Sequence, residues 1–151
     1  MINLNCICYT DGGCNPVSGS WAVIISRKDG VRQELSGYQY APVTVNHMEL
    51  WAIYMAISNT PEWSRIRVVS DSQYAVNCCS VWHIGWSRKG WVTKDKKAVK
   101  NARLIRKILE LVKVRQVAFA WVRGHNGHPE NERADKLCSE ESKLARLMLT
   151  L

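Results

Sequence analysis

The order of two hydrophobic periodicities along the chain restricts its fold more than any other feature. Over the first forty residues, alternation with a period of two predicts strands at 4–11, 19–26 and 31–40, which form an antiparallel meander. Beyond them, helical spacing predicts helices at 46–59, 72–79 and 100–112, separated by β-branched strands at 66–70 and 116–122, and a last helix after Pro129. This order predicts an α/β fold with one five-stranded mixed sheet, an antiparallel meander plus parallel strands, flanked by helices.

The chain has the length and composition of one ordinary globular domain. It holds 151 residues, of which 46% are hydrophobic and 23% charged, and no linker or repeat divides it. The first residues lack a basic leader, and the longest apolar run, 50–57, is too short to span a membrane. We therefore expect a single domain over residues 1–151 that is cytoplasmic, without a membrane partner, and monomeric.

Six cysteines occur without a CxxC pair and without zinc-type spacing to histidine. A chain of this length can fold without covalent cross-links, so reduced thiols are expected; disulfides are the alternative.

The net charge of +8 is concentrated in the segment 86–101, WSRKGWVTKDKKAVKN, which carries six basic residues and one acid. Tryptophans Trp82, Trp86 and Trp91 alternate with these cations. A surface that neutralises phosphates and packs on sugars or bases needs both residue types, which favours nucleic-acid binding. A solvated loop with structural tryptophans is the other interpretation.

Three acidic residues accompany the predicted strands and the first long helix. Asp11 and Asp71 end two strands, and Glu49 lies near the first turn of the helix. Side chains at strand ends project into the ligand cleft of α/β sheets, and neighbouring carboxylates there call for a divalent cation. Taken singly, each has an ordinary explanation, since aspartate often caps a helix or forms a turn and an acid suits a helix start.

The stretch RGHNGHPENERAD, at 123–135, gathers acids, histidines and glycines before the last helix. Asp135 borders the apolar stripe of that helix, so we expect it to face inward or to lie at a rim. His125, between two glycines, suits proton transfer at neutral pH, whereas His128 next to Pro129 suits a structural role near the helix start. Glu141 falls inside the apolar stripe, so either the helix ends earlier or this face is exposed.

Four motifs together resemble the bacterial-type ribonucleases H of type 1. They are YTDGGC at 9–14, NHMELWA at 46–52, SDSQYAV at 70–76 and GHNGHPENERAD at 124–135, with the basic segment in the family's position between the last two. The resemblance covers about residues 4–144 and implies the ribonuclease H-like fold. It implies an endonuclease that hydrolyses the RNA strand of RNA/DNA hybrids largely independently of sequence.

The resemblance also implies the catalytic groups. Four carboxylates would hold two Mg²⁺ ions per active site with substrate, Mn²⁺ being a possible replacement: Asp11, Glu49, Asp71 and Asp135. Two such ions clamp the scissile phosphate and activate water, so in-line attack would leave 5′-phosphate and 3′-hydroxyl ends. By the same resemblance, His125 assists proton transfer or product departure.

Substrate contacts are implied for two groups of residues. The 2′-hydroxyl groups of the RNA strand distinguish it from DNA, and their readers would be the backbone near Cys14 together with Asn15, Asn46, Glu49 and Gln73. The DNA strand would lie against the basic segment, with Trp82 in the groove and a phosphate near Thr44 and Asn101. The remaining substrate-binding residues of that segment are Trp86, Arg88, Lys89, Lys96 and Lys97.

Two other functions stay open on the sequence. A non-catalytic module of the same fold could hold hybrid or duplex RNA through the basic segment, although carboxylates beside phosphates would weaken such a binder. A nuclease of the same fold could act on DNA junctions or on a retroelement intermediate, which the readers of the 2′-hydroxyl group disfavour.

Overall fold

The computed structural model describes residues 5–124 and 126–151, and a five-stranded sheet forms the centre of this part of the chain. The strands are β1 (Asn5–Cys14), β2 (Ser18–Arg27), β3 (Arg32–Tyr40), β4 (Arg65–Ser70) and β5 (Gln116–Trp121). They lie in the order β3-β2-β1-β4-β5; β1 to β3 are antiparallel, and β4 and β5 run parallel to β1. The predicted mixed sheet is confirmed.

Helices cover both faces of the sheet. They are α1 (Val45–Ser58), α2 (Gln73–Asn77), α3 (His83–Arg88), α4 (Ala102–Val112) and α5 (Pro129–Met148). On one face, Leu50 and Ile53 of α1 and Ile105 of α4 pack with strand residues such as Val23 and Val68. On the other face, α5 packs its apolar stripe on the meander.

The first strand is longer than the sequence indicates. The alternating pattern predicts an end at Asp11, but β1 continues through Gly12 and Gly13 to Cys14. Its parallel pairing with β4 ends at Thr10, opposite Ser70, whereas its antiparallel pairing with β2 continues to Cys14. Asp11 therefore lies inside a strand, at the first position where β1 has lost one of its two neighbours.

The helix predicted at 72–79 is part of a longer helical segment. A π-helical turn, Cys78–Trp82, joins α2 to α3, so helical structure continues to Arg88. The hydroxyl of Ser80 in this turn donates to the carbonyl of Val76, four residues earlier in α2. Trp86, which packs against the core, extends the apolar side of the segment beyond the predicted end.

Glu141 receives an explanation that the sequence did not offer. Helix α5 continues to Met148, and the side of it that carries Glu141 packs on β3. There the Ser36 hydroxyl donates to Glu141 Oε1 at 2.9 Å. The predictions of an earlier helix end or an exposed face are both wrong, because a partner on the sheet satisfies this acid.

All six cysteines are free thiols, as expected. Among residues 5–124 and 126–151, no helix combines the length and the apolar character needed to cross a membrane.

Candidate active site

Three carboxylates from different parts of the chain meet at one edge of the sheet. Asp11 comes from β1, Glu49 from α1 and Asp71 from the residue that follows β4. One carboxylate oxygen of each lies within 4.8 Å of the others. Asp11 and Glu49 are only 7% and 6% exposed, and Asp71 is half-buried. We call these three residues the acidic triad.

A close approach between β1 and α1 places Glu49 in the triad. A Cβ atom on Gly12 would lie 2.5 Å from the Glu49 backbone nitrogen, so only glycine permits this contact. The helix begins at Val45, and the hydroxyl of its cap, Thr44, accepts from the His47 backbone N–H. Glu49 thus lies at the beginning of the second turn, near the first as predicted, and the helix dipole does not account for an acid there.

Asp71 is contacted by β5 and by the chain that follows this strand. The Ser72 hydroxyl, not the Asp71 carboxylate, caps α2 by accepting from the Ala75 N–H at 3.1 Å. The Trp121 indole Nε1 donates to the Asp71 carbonyl at 2.9 Å. A Cβ on Gly124 would lie 2.9 Å from Asp71 Oδ2, so the chain after β5 passes directly beside this carboxylate. The helix-cap explanation of Asp71 is wrong.

Burial and mutual repulsion disfavour the charged forms of the two buried acids. Desolvation, with Asp71 and Asp135 adding repulsion, raises the pKa of Asp11 to about 8. Desolvation, with Asp11 and Asp71 adding repulsion, raises the pKa of Glu49 to about 9. The Gly12 backbone N–H opposes both shifts by favouring the charged forms. A cation at the triad would remove most of this penalty.

Helix α5 brings the fourth predicted carboxylate to the rim of the triad. Asp135 is exposed, yet close enough to raise the pKa of Asp11. One turn later, the buried Cys138 thiol donates to the Asp11 carbonyl at 3.3 Å. Burial raises the pKa of this thiol far above its ordinary value, so it remains neutral.

The structure describes one of the two histidines that the sequence analysis singled out in this loop. His125 lies outside the described residues, so its role stays a prediction. His128 is the residue before the first turn of α5, and its ring lies 5.1 Å from the Tyr9 ring. This is the structural position predicted for it.

The triad fits a hard divalent cation. Its donors are all carboxylate oxygens, which Mg²⁺ and Mn²⁺ prefer. Glu49 Oε2 is buried and has no hydrogen-bond partner within the described part of the chain. A buried acceptor without a donor is costly, and a metal ion would satisfy it.

The predicted RNA-side residues lie on the segments that flank the triad. Cys14, exposed at the end of β1, donates its thiol to the Val43 carbonyl. Asn46 and Gln73 are exposed in the first turns of α1 and α2. The Asn15 side chain accepts from the N–H groups of Val17 and Ser18 and donates to Ser142, so it holds a turn together, and its predicted contact with the RNA stays a prediction.

The predicted DNA-side residues, apart from the exposed helix cap Thr44, lie on an exposed basic protrusion, residues 82–101. Its aromatic rings make a continuous series from Tyr74 through Trp82 and Trp86 to Trp91, with centroids 5.9–6.2 Å apart. The Asn101 amide donates to the Tyr74 hydroxyl at 3.0 Å. Its exposed cations include Arg88, Lys89, Lys96 and Lys97. Tyr74 lies on α2, which begins two residues after Asp71, so the series starts on the helix that follows the triad's third acid.

Several residues that support the site were not recognised from the sequence. They act through packing or through a single hydrogen bond: Gly12, Ser72, Trp121, Gly124 and Cys138. The two glycines and Ser72 stand inside recognised motifs and could have been found, but nothing local marks Trp121 or Cys138.

Comparison with known proteins identifies the family. The ribonuclease H (RNase H) family model matches residues 3–143. The chain belongs to the ribonuclease H family. It is thus a nuclease of the hydrolase class, and the resemblance read from the four motifs is confirmed.

Individual relatives support this membership over most of the chain. The "Ribonuclease H" of Nitratidesulfovibrio vulgaris (strain DSM 19637 / Miyazaki F) is 43% identical over 145 residues, which cover 94% of this chain and 92% of the relative. The crystal structure of LC9-RNase H1, a type 1 RNase H with the type 2 active-site motif, has a TM-score of 0.80 and 27% identity over 93% of this chain and 72% of that one.

A more distant structure shares the fold alone. The foamy viral protease-reverse transcriptase in complex with RNA/DNA hybrid gives a TM-score of 0.74 at 18% identity, over 91% of this chain and 20% of that one.

Proposed function

We propose that this ribonuclease H hydrolyses the RNA strand of RNA/DNA hybrids in the presence of Mg²⁺, largely independently of base sequence. The observation that carries the proposal is the acidic triad, with three carboxylate oxygens within 4.8 Å, together with the aromatic series that runs from Tyr74 on α2 to the basic protrusion. The foamy viral enzyme of the same fold was solved with an RNA/DNA hybrid, which supports this substrate class.

The catalytic roles follow from the position of each acid. In this proposal Asp11, Glu49, Asp71 and Asp135 hold two Mg²⁺ ions, for which Mn²⁺ can substitute. When bound, such ions would acidify the attacking water and stabilise the 3′ oxygen as it leaves phosphorus; breaking that P–O bond would give 5′-phosphate and 3′-hydroxyl ends. Asp11 and Glu49 must lose their protons to bind a cation, and their raised pKa values make metal affinity increase with pH. His125 is proposed to assist proton transfer.

The proposed substrate contacts divide the hybrid between two surfaces. The backbone near Cys14, with Asn46 and Gln73, would contact the RNA sugars, and Asn15 would shape the turn beside them. The protrusion would neutralise DNA phosphates with Arg88 and its lysines, with Thr44 and Asn101 around one phosphate. Contacts to sugars and phosphates carry little base information, hence the expected sequence independence.

We further propose that residues 1–151 act as one domain and as a monomer in the cytoplasm. One chain supplies all four carboxylates, from Asp11 to Asp135, so the site needs no residue from a second copy. The six free thiols suit a reducing compartment.

The test is cleavage of matched duplexes. End-labelled RNA/DNA, RNA/RNA and DNA/DNA of one sequence are incubated with Mg²⁺, with and without EDTA, and product ends are typed by kinase labelling before and after phosphatase. We expect EDTA-sensitive cuts confined to the RNA strand of the hybrid, with 5′ ends that label only after phosphatase. Cleavage of DNA/DNA, or folded protein that binds hybrid but cuts nothing with Mg²⁺ or Mn²⁺, would contradict the proposal.

A further inference from the structure

Four charged side chains join the start of α5 to the edge strand β3. Arg133 forms a two-pronged pair with Glu34, at 2.8 Å from Nε and 2.9 Å from Nη2. Arg32 forms another with Glu130, at 2.8 and 3.1 Å, and also contacts Glu34 at 2.8 Å. We call these four residues the ion network.

The ion network is stronger than an ordinary surface pair. Isolated exposed pairs contribute little, but two-pronged arginine–carboxylate geometry in a connected network gains energy and directionality. Its side chains are 27–41% exposed. The Lys113–Glu110 pair at the end of α4, with side chains 67% and 69% exposed, is neither two-pronged nor part of a network.

The ion network and Asp135 belong to the same two turns of α5. Asp135 follows Arg133 by two residues, which at 3.6 residues per turn places the two side chains on opposite sides of the helix. The Arg133 side contacts β3, and the Asp135 side faces Asp11 on β1. Rotation of α5 about its axis would therefore move Asp135 relative to the triad.

Two sets of contacts hold α5 in its rotation about the helix axis. Asp135 is close enough to Asp11 to raise the pKa of that acid, so its place beside the triad depends on this rotation. Cys138 anchors α5 to the Asp11 carbonyl from the inner side. The ion network anchors the outer side through opposite charges on β3.

We propose that the ion network of Arg32, Glu34, Glu130 and Arg133 is a positioning device that holds Asp135 at the acidic triad and thereby sets metal affinity. This inference rests on the proposed function, because it assigns Asp135 to a metal site. It adds that residues outside the site, on the edge strand β3, determine how completely that site is formed.

The test is a charge exchange across the network. Glu34→Arg and Arg133→Glu each place like charges together, whereas the double variant presents two arginines on β3 to two glutamates on α5. Mn²⁺ affinity without nucleic acid is measured by calorimetry, the Mg²⁺ concentration for half-maximal hybrid cleavage by kinetics, and stability by urea unfolding. Arg133→Met serves where a reversed charge prevents folding, and Glu110→Gln is the matched control.

We expect each single variant to weaken metal affinity by about fivefold, as coupled neighbours do, and the exchange to restore it to within about twofold. Glu110→Gln should change nothing. Single variants that lose stability but keep metal affinity would overturn the proposal, because the ion network would then act only on stability. A double variant whose metal affinity is not restored would also overturn it. Cleavage by the wild type, measured in parallel, tests the proposed function separately. If the wild type cuts hybrid and the single variants keep their metal affinity, the positioning role fails while the proposed function stands.

Discussion

Replacing Asp11 by asparagine should stabilise the metal-free protein. In the unfolded chain Asp11 has its ordinary pKa of 3.8, whereas in the fold burial and the neighbouring acids raise its pKa to about 8. At pH 7 the folded state therefore holds a proton that the unfolded state releases, at a cost of about 4 kcal/mol. Asparagine has nearly the same shape and no charge, so Asp11→Asn removes this cost.

The net gain is smaller than the electrostatic cost. The new amide group needs hydrogen-bond partners, and a buried unsatisfied donor costs about 1–3 kcal/mol. We expect Asp11→Asn to raise the free energy of unfolding at pH 7 by about 1–3 kcal/mol.

The pH dependence distinguishes this cause from better packing. The stability linked to Asp11 is fully present below its unfolded pKa of 3.8 and is lost as the pH rises towards its folded pKa of about 8. The difference between variant and wild type should therefore be small near pH 4, grow with pH and level off above pH 8. Bound Mg²⁺ should shrink it by stabilising the wild type.

The assay is urea unfolding in EDTA, followed by the fluorescence of the chain's seven tryptophans, at several pH values between 4 and 8.5. Asp95→Asn, an exposed acid of the basic protrusion, is the control and should stay within about 0.5 kcal/mol of wild type. A variant that is no more stable than wild type at pH 7, or a gain that does not change with pH, would show that the buried Asp11 carboxyl does not destabilise the fold in this way.

Three further predictions concern the supports of the site. Gly12→Ala should lower stability by about 1–3 kcal/mol and reduce cleavage, because the new Cβ would lie 2.5 Å from the Glu49 backbone. The control Gly13→Ala, whose new Cβ has its nearest contact at 3.6 Å, should do neither. Equal effects of the two substitutions in urea unfolding and cleavage assays would contradict this. Lys96→Ala with Lys97→Ala should weaken hybrid binding and reduce the salt slope of log affinity by about 2 while kcat is kept; an unchanged slope would mean that these lysines contact no phosphates. Trp121→Phe removes the donor to the Asp71 carbonyl and should cost about 1 kcal/mol of stability with a lower kcat at unchanged KM; an unchanged kcat would show that this bond does not position Asp71.

Much of the fold was predictable because its elements carry local signals. The meander and the later strands have distinct periodicities, so their order indicated the mixed sheet before any contact was known. The end of β1 was not predictable in this way. Glycine pairs usually end strands, and the continuation through Gly12 depends on pairing with β2 and on the approach of α1.

The acids of the site could be predicted from the sequence, but most of the residues that hold them in place could not. Asp11, Glu49 and Asp71 stand in motifs, and the structure brings all three together. The ion network joins residues 98 and 99 positions apart in the chain, so only the folded structure reveals it. Glu141 shows the same limit, because its partner Ser36 lies on another element.

A comparison of binding and cleavage in Asp71→Asn tests the role of the acidic triad most directly. Affinity for an RNA/DNA hybrid in EDTA and single-turnover cleavage in Mg²⁺ are measured on the same folded preparations of variant and wild type. We expect the variant to bind hybrid as tightly as wild type or slightly more tightly, since one negative charge is removed, and its cleavage to be abolished. A folded variant that still cuts the RNA strand at a rate close to wild type would contradict the claim that the acidic triad performs the hydrolysis.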